Sequence, residues 1–385
     1  MRQGLVASVL AIATLACTAA PNTPTSSPSP TGLPTTAPTS TVPPLPTVPP
    51  TPATASPVTP TVSPTIGPTP ADANRWDSRP DVARGPSARE DHTWTVDGDG
   101  QVAYLFGGRS ADGPQADLWA FDLTTDTWTE RHPSGSGPAP RFGHTATWVP
   151  NVGLVVWSGQ GADFFDDIWA YDPAVDAWHQ LPSLGAVPQA RYGSCASLGP
   201  DGRLWISHGF TQDDGRFADT RAYAFTTGEW TDMTPTSGDV PIKRCLHDCY
   251  WSEGGQLILY GGQTTGVPAL GDIWAYDPVA QTWSKGPESG APARQLYAIA
   301  TGNTGAIVFG GGALDGSFLG DTLVVSSSSL EVAEDPYPAP DGPAARSGAA
   351  MIRTPGGSYL LFGGQNADGL LGDLWEHSGY WLAQL

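Results

Sequence analysis

Six copies of one pattern run from residue 89 to the C-terminus, and this repetition limits the folds open to the chain more than any other feature. The second copy reads Arg141-Phe142-Gly143-His144-Thr145, an apolar run ending Val155-Val156-Trp157-Ser158-Gly159, then Asp167-Ile168-Trp169-Ala170-Tyr171-Asp172, then Trp178. The leading arginine recurs as Arg89, Arg141, Arg191, Arg244, Arg294 and Arg346, at intervals of 50 to 53 residues. The acid opening the third segment recurs as Asp117, Asp167, Asp219, Asp272, Asp321 and Asp373. A glycine pair ends the second segment in four copies, and Ser158-Gly159 and His208-Gly209 stand there in the other two. Each unit holds four short apolar stretches separated by Gly, Pro, Asp and Asn turns, the pattern of four antiparallel strands. One such sheet cannot cover both its faces, whereas six set around an axis cover one another.

Composition agrees. With 47 Gly and 39 Pro in 385 residues, long helices are excluded, because both residues interrupt them. The 15 Trp supply ample apolar surface for a core. A balance of 18 Lys+Arg against 38 Asp+Glu, net −20, argues against a nucleic-acid partner, whose phosphates call for basic groups.

Residues 1–17 read as an export signal, with Arg2 followed by the apolar run Leu5 to Leu15. Thr14-Leu15-Ala16-Cys17 resembles the lipobox of bacterial lipoproteins, with Thr14 where Leu is usual, so Cys17 is the expected lipidation site. The alternative is cleavage after Ala19 and release. Residues 18–71 are almost wholly Pro, Thr, Ser, Ala and Val without a charged residue, a composition that cannot bury enough surface to fold. Such a segment is a disordered tether, extended at about 3.1 Å per residue and reaching up to roughly 150 Å. The expected organisation is therefore signal 1–17, linker 18–71 and folded domain 72–385, extracytoplasmic and touching a membrane only through its N-terminal lipid.

Arg-x-x-His, the apolar run with Gly-Gly, Asp-[Leu/Ile]-Trp-Ala-[Phe/Tyr]-Asp and the closing Trp together resemble the kelch repeat across 74–385. The resemblance implies an all-β, six-bladed β-propeller with four antiparallel strands per blade. Trp76 lies 13 residues before Arg89, as Trp128 does before Arg141, so the N-terminal segment is expected to supply the outer strand of the last blade. Tyr380-Trp381-Leu382 is the competing candidate. Ten of the 15 Trp fall at repeat positions and are assigned to packing between blades.

In a blade the first strand lines the channel, and strands alternate in direction, so strand-one starts and strand-two-to-three loops share one face. The six arginines are thus expected around one mouth, where guanidiniums recognise carboxylate, sulfate or phosphate. In kelch proteins with known ligands, arginines at this register often line the binding mouth. Phe142 and Tyr192, each directly after its arginine, are candidate platforms for a sugar ring or peptide side chain, with Phe164, Phe165 and Phe217 in neighbouring loops. The ligand expected there is a protein, peptide or glycan, anionic groups included. The opposing reading is structural: acids such as Glu90, Asp91, Asp163 and Asp166 neutralise the arginines, and Phe164 and Phe165 fold down as a small loop core.

No complete catalytic constellation is present. Copper radical oxidases of this architecture need a Tyr-His dipeptide, and nitrile specifiers a Glu-x-x-x-Asp-x-x-x-His iron site; the chain contains neither, and no cofactor is expected. A sialic-acid-mutarotase-like enzyme is the alternative, with Glu90 beside Arg89 as acid or base. His92, His144 and His247 share one register and read as structural. Cys245 and Cys249 stand four apart on one strand, about 13 Å, too far to bridge. A disulfide should therefore join Cys195 to one of them, Cys249 by depth, leaving Cys245 free. Cys245, His247 and Cys249 with His208 form the weaker metal reading, three ligands on one strand rarely closing a coordination shell.

Overall fold

A computed structural model describes residues 76–79, 85–212, 215–302, 304–335 and 341–378. Cys17, the Pro/Thr-rich segment and Trp381 lie outside the described residues. The described residues contain strands and turns and no helix, and each repeat forms its own antiparallel sheet. Blade 1 consists of Thr93–Val96, Val102–Phe106, Leu118–Asp122 and Thr127–Arg131, hydrogen-bonded in that order. Blades 2 to 5 repeat the plan, starting at Thr145–Val149, Cys195–Leu198, Asp248–Trp251 and Ala298–Thr301. In blade 6, Ala350–Arg353, Tyr359–Phe362 and Leu374–His377 are completed by the N-terminal strand Trp76–Ser78, with Trp76 opposite His377. First and last parts of the domain thus share one sheet, as the Trp76 interval implied.

The core lies between the blades. Second-strand residues such as Val155, Trp157, Leu204 and Ile206 are essentially buried, because this strand is covered by a neighbouring sheet on each face. The repeated tryptophans fill the same seams: Trp178 meets Phe106 of the preceding blade at 5.1 Å, and Trp230 meets Trp157 at 5.5 Å. Fourth-strand positions are therefore packing positions. A disulfide joins Cys195 to Cys249 and so ties the inner strands of blades 3 and 4, while Cys245 is a buried free thiol.

The glycine pair has a specific cause. Both residues of each pair adopt left-handed backbone, φ 61° and 91° at Gly107 and Gly108. A Cβ on Gly108 would meet the His92 Cβ at 2.6 Å. The same bend forces Ser158 and His208, the two departures from glycine, to φ 69° and 58°.

Candidate functional site

The arginine register is where sequence expectation and structure part. Arg89, Arg141, Arg191, Arg244, Arg294 and Arg346 are each at most 1% exposed. Every one makes a two-pronged pair with the acid opening the third strand of its own blade, Asp117, Asp167, Asp219, Asp272, Asp321 and Asp373, at 2.6–3.1 Å. Its Nη1 also donates to the carbonyl of the first residue of the glycine pair at 2.8–3.0 Å. Nε donates to a carbonyl two residues upstream. Trp119, Trp169, Trp274 and Trp375 give their indole N–H to the same carboxylates at 2.7 Å. In blade 3, where Arg221 stands at the Trp register, its Nε makes the equivalent bond at 3.1 Å.

An open ring of cations for an anionic ligand is therefore corrected: these guanidiniums hold each blade together and have no face free for a ligand. The partners differ from the neighbouring acids Glu90, Asp91, Asp163 and Asp166 proposed as neutralisers. The third-strand acids recur in all six copies exactly as often as the arginines, and that joint recurrence was the signal that pairs them. Burial raises Asp117, Asp167, Asp219, Asp272 and Asp373, but the arginine hydrogen bonds and charge outweigh it and leave all five carboxyls below the usual value.

The arginine backbone stitches the blades together. Each arginine carbonyl accepts the N–H of the second residue of the preceding blade's glycine pair, around to Gly364 N–H on Arg89 O at 2.8 Å. Two residues further on stand Asp91, Gly143, Gly193, Leu246, Leu296 and Gly348, all left-handed with φ between 50° and 66°. Their N–H groups bond head to tail at 2.8–3.0 Å: Gly143 to Asp91, Gly193 to Gly143, Leu246 to Gly193, Leu296 to Leu246, Gly348 to Leu296, and Asp91 back to Gly348. This closed circuit of six hydrogen bonds narrows the arginine end of the channel. Half of its members are not glycine, so composition gave no sign of it.

Phe142 and Tyr192 are brought together at this face, 5.7 Å apart, but as parts of an apolar roof with Phe164, Phe210, Leu246 and Leu296. Tyr192 is 9% exposed and its hydroxyl donates to Asp91 at 3.3 Å, so it is not an open platform. Phe165 and Phe217 lie against Arg141 and Arg191, with the guanidinium carbons 4.2 and 3.9 Å from the ring centres. The aromatic residues thus shield the arginines from above.

Glu90 is 2% exposed and clamped by Arg109 through Oε1, a geometry that withdraws it from acid–base work at an open mouth. Its neighbour Asp91 is pushed up to about 7, by burial first and then by the Glu90 charge. The Cys245–His247–Cys249 metal set is also taken apart, because Cys249 is spent in the disulfide and Cys245 Sγ accepts from Gln263 at 3.7 Å. His144 Nε2 bonds Thr93 at 2.9 Å, a structural role.

The family model described as the KLHDC2/KLHL20/DRC7 Kelch-repeats domain matches residues 69–262 and 232–378. Kelch domain-containing protein 3 of Bos taurus is similar at 28% identity over 260 residues, 62% of this chain and 66% of the relative, and the Homo sapiens protein is similar to the same extent. The N-(sulfonatooxy)prop-2-enimidothioate sulfolyase of Thlaspi arvense is similar at 26% identity over 249 residues, covering 59% of this chain and 71% of that enzyme.

Proposed function

Since the chain belongs to the kelch-repeat family, we propose that its propeller is a recognition module, held outside the cytoplasm by a lipidated N-terminus, that binds a protein or peptide on the arginine-side face. The observation that supports this is the apolar surface left on that face once the arginines are accounted for. The connections entering each first strand and the loops between second and third strands both rise there. They carry Val187, Val240, Ile242, Val267 and Leu314, each 38–57% exposed, on blades 3 to 5. Leu314 borders a recess walled by Pro292, Ala293 and Leu319. Loops on a closed, rigid scaffold tolerate such side chains where a partner covers them.

A peptide and glycan array probed with the full chain, and with Ile242→Asp and Leu314→Asp, tests the reading. Peptide binding reduced by both substitutions supports it. Binding to glycans alone, or peptide binding that neither substitution changes, overturns it. Cell fractionation with Cys17→Ala, which should move the protein from membrane to medium, tests the tether.

A further inference from the structure

The six first strands surround an axial cavity of about 530 Å³, within the range of small-molecule sites. The closed circuit of six backbone hydrogen bonds narrows it at the arginine end. At the other end the strands finish on Trp148 and Arg353, both half-buried, and on the exposed Thr301, so entry is from there.

One acid of the wall faces this space without a partner. Asp248 is half-buried, and its Oδ1 accepts the N–H of the adjacent Cys249 at 2.8 Å. Its Oδ2 has no hydrogen bond among the described residues and is still open to solvent, unlike Asp91 Oδ1 and the ring nitrogens of His92 and His247, which are unpaired and sealed off. Burial pushes the Asp248 carboxyl up to about 7, and no neighbouring cation pulls it back. An unpaired carboxylate withdrawn from bulk water is costly. The repeat does not demand this one, since the other five copies carry Thr93, Thr145, Cys195, Ala298 and Ala350 at the same register, four residues after the arginine.

The rest of the wall decides what can meet that charge. Several of its hydroxyls are already engaged: Thr93 with His144 at 2.9 Å, Ser194 on the His208 carbonyl at 3.0 Å and Tyr297 on the Tyr260 carbonyl at 2.6 Å. A sugar would therefore leave its own hydroxyls poorly paired there. Among the described residues no group of three His, Cys, Asp or Glu could hold a metal ion. Small apolar side chains, Ala196, Ala298, Ala300 and Ala350, line much of the remainder. Arg353, the one Lys or Arg of the lining, stands three register positions nearer the mouth than Asp248.

We infer that the axial cavity binds a primary monoamine, its ammonium group held by the Asp248 carboxylate and its apolar body lying against the alanine-lined wall. The ammonium supplies the charge and the donor that the fold leaves missing at Oδ2, and the net charge of −20 concentrates cations around the protein. This site is independent of peptide binding on the arginine-side face, because the cavity opens at the opposite end.

The probe is n-butylammonium, followed by ligand-observed NMR with the full chain at pH 8, where Asp248 is ionised and the amine protonated. Butyrate, 1-butanol and ammonium chloride are the anionic, neutral and head-group controls. n-Butylammonium should bind, butyrate and 1-butanol should not, and ammonium, which lacks the apolar body, should bind roughly tenfold or more weakly. Asp248→Asn should weaken n-butylammonium binding roughly tenfold or more, as loss of a charged hydrogen bond does. Circular dichroism verifies that the variant folds; should it not, Asp248→Thr, matching the register of blades 1 and 2, provides the same comparison. No n-butylammonium binding, equal binding of butyrate or of ammonium, or an affinity unchanged by the substitution overturns the inference.

Discussion

Removing the acid from one arginine clamp should cost more than removing any exposed salt bridge on this protein. In blade 4, Arg244 is fully buried and meets Asp272 through two bonds of 2.7 Å. Asp272→Ala leaves that guanidinium buried with only the carbonyls of Gly261 and Ile242, and it also strips the acceptor from Trp274 Nε1. Breaking a buried ion pair from one side costs about 3–5 kcal/mol. The orphaned indole adds about 1 kcal/mol. The sum is a large share of the roughly 5–15 kcal/mol that holds a typical domain folded. Guanidinium-chloride unfolding followed by tryptophan fluorescence should therefore give a midpoint far below wild type. Lys285→Ala, which breaks an exposed pair with Glu288, should shift it by no more than about 1 kcal/mol. An Asp272→Ala protein within about 1 kcal/mol of wild type would refute the claim that the arginine register is structural.

Stability should also peak in mildly acidic solution. The five clamp carboxyls with lowered pKa contribute stability present above the unfolded value near 3.9, lost as pH falls through their folded values. Asp91 and Asp248, both raised to about 7, act oppositely: the folded state binds their protons more tightly, so stability declines as pH rises from about 4 to 7. Melting temperatures from pH 3 to 9 should show that maximum, and Asp248→Asn should melt higher than wild type at pH 8 with a smaller gain at pH 5. In the turn before Trp283, Gln281 sits at φ 53° where blade 3 has Gly228 at 71°, so Gln281→Gly should stabilise by up to about 1 kcal/mol in thermal unfolding. Opening the Cys195–Cys249 bridge, which spans 54 residues, should lower unfolding free energy by about 4 kcal/mol on chain-entropy grounds, measured with the Cys195→Ser/Cys249→Ser double variant. A loss below about 1 kcal/mol would show that ring closure already restrains the two blades.

What the sequence determined by itself was everything that repeats locally: strand alternation, turn residues, the spacing of six blades and the register of Trp76 with the last of them. Those features are set by neighbours along the chain and need no knowledge of contacts. Tertiary structure alone decided what the conspicuous residues do. Arg141 and Asp167 meet across 26 residues of chain, and only the folded blade brings the guanidinium under its own loop, buried and paired. The backbone circuit through Asp91, Gly143, Gly193, Leu246, Leu296 and Gly348 exists only when all six blades close, because each hydrogen bond joins two of them. Closure turned the expected cationic mouth into cement. It also gathered Asp91 and Asp248, 157 residues apart, around one axial cavity that no local pattern could reveal.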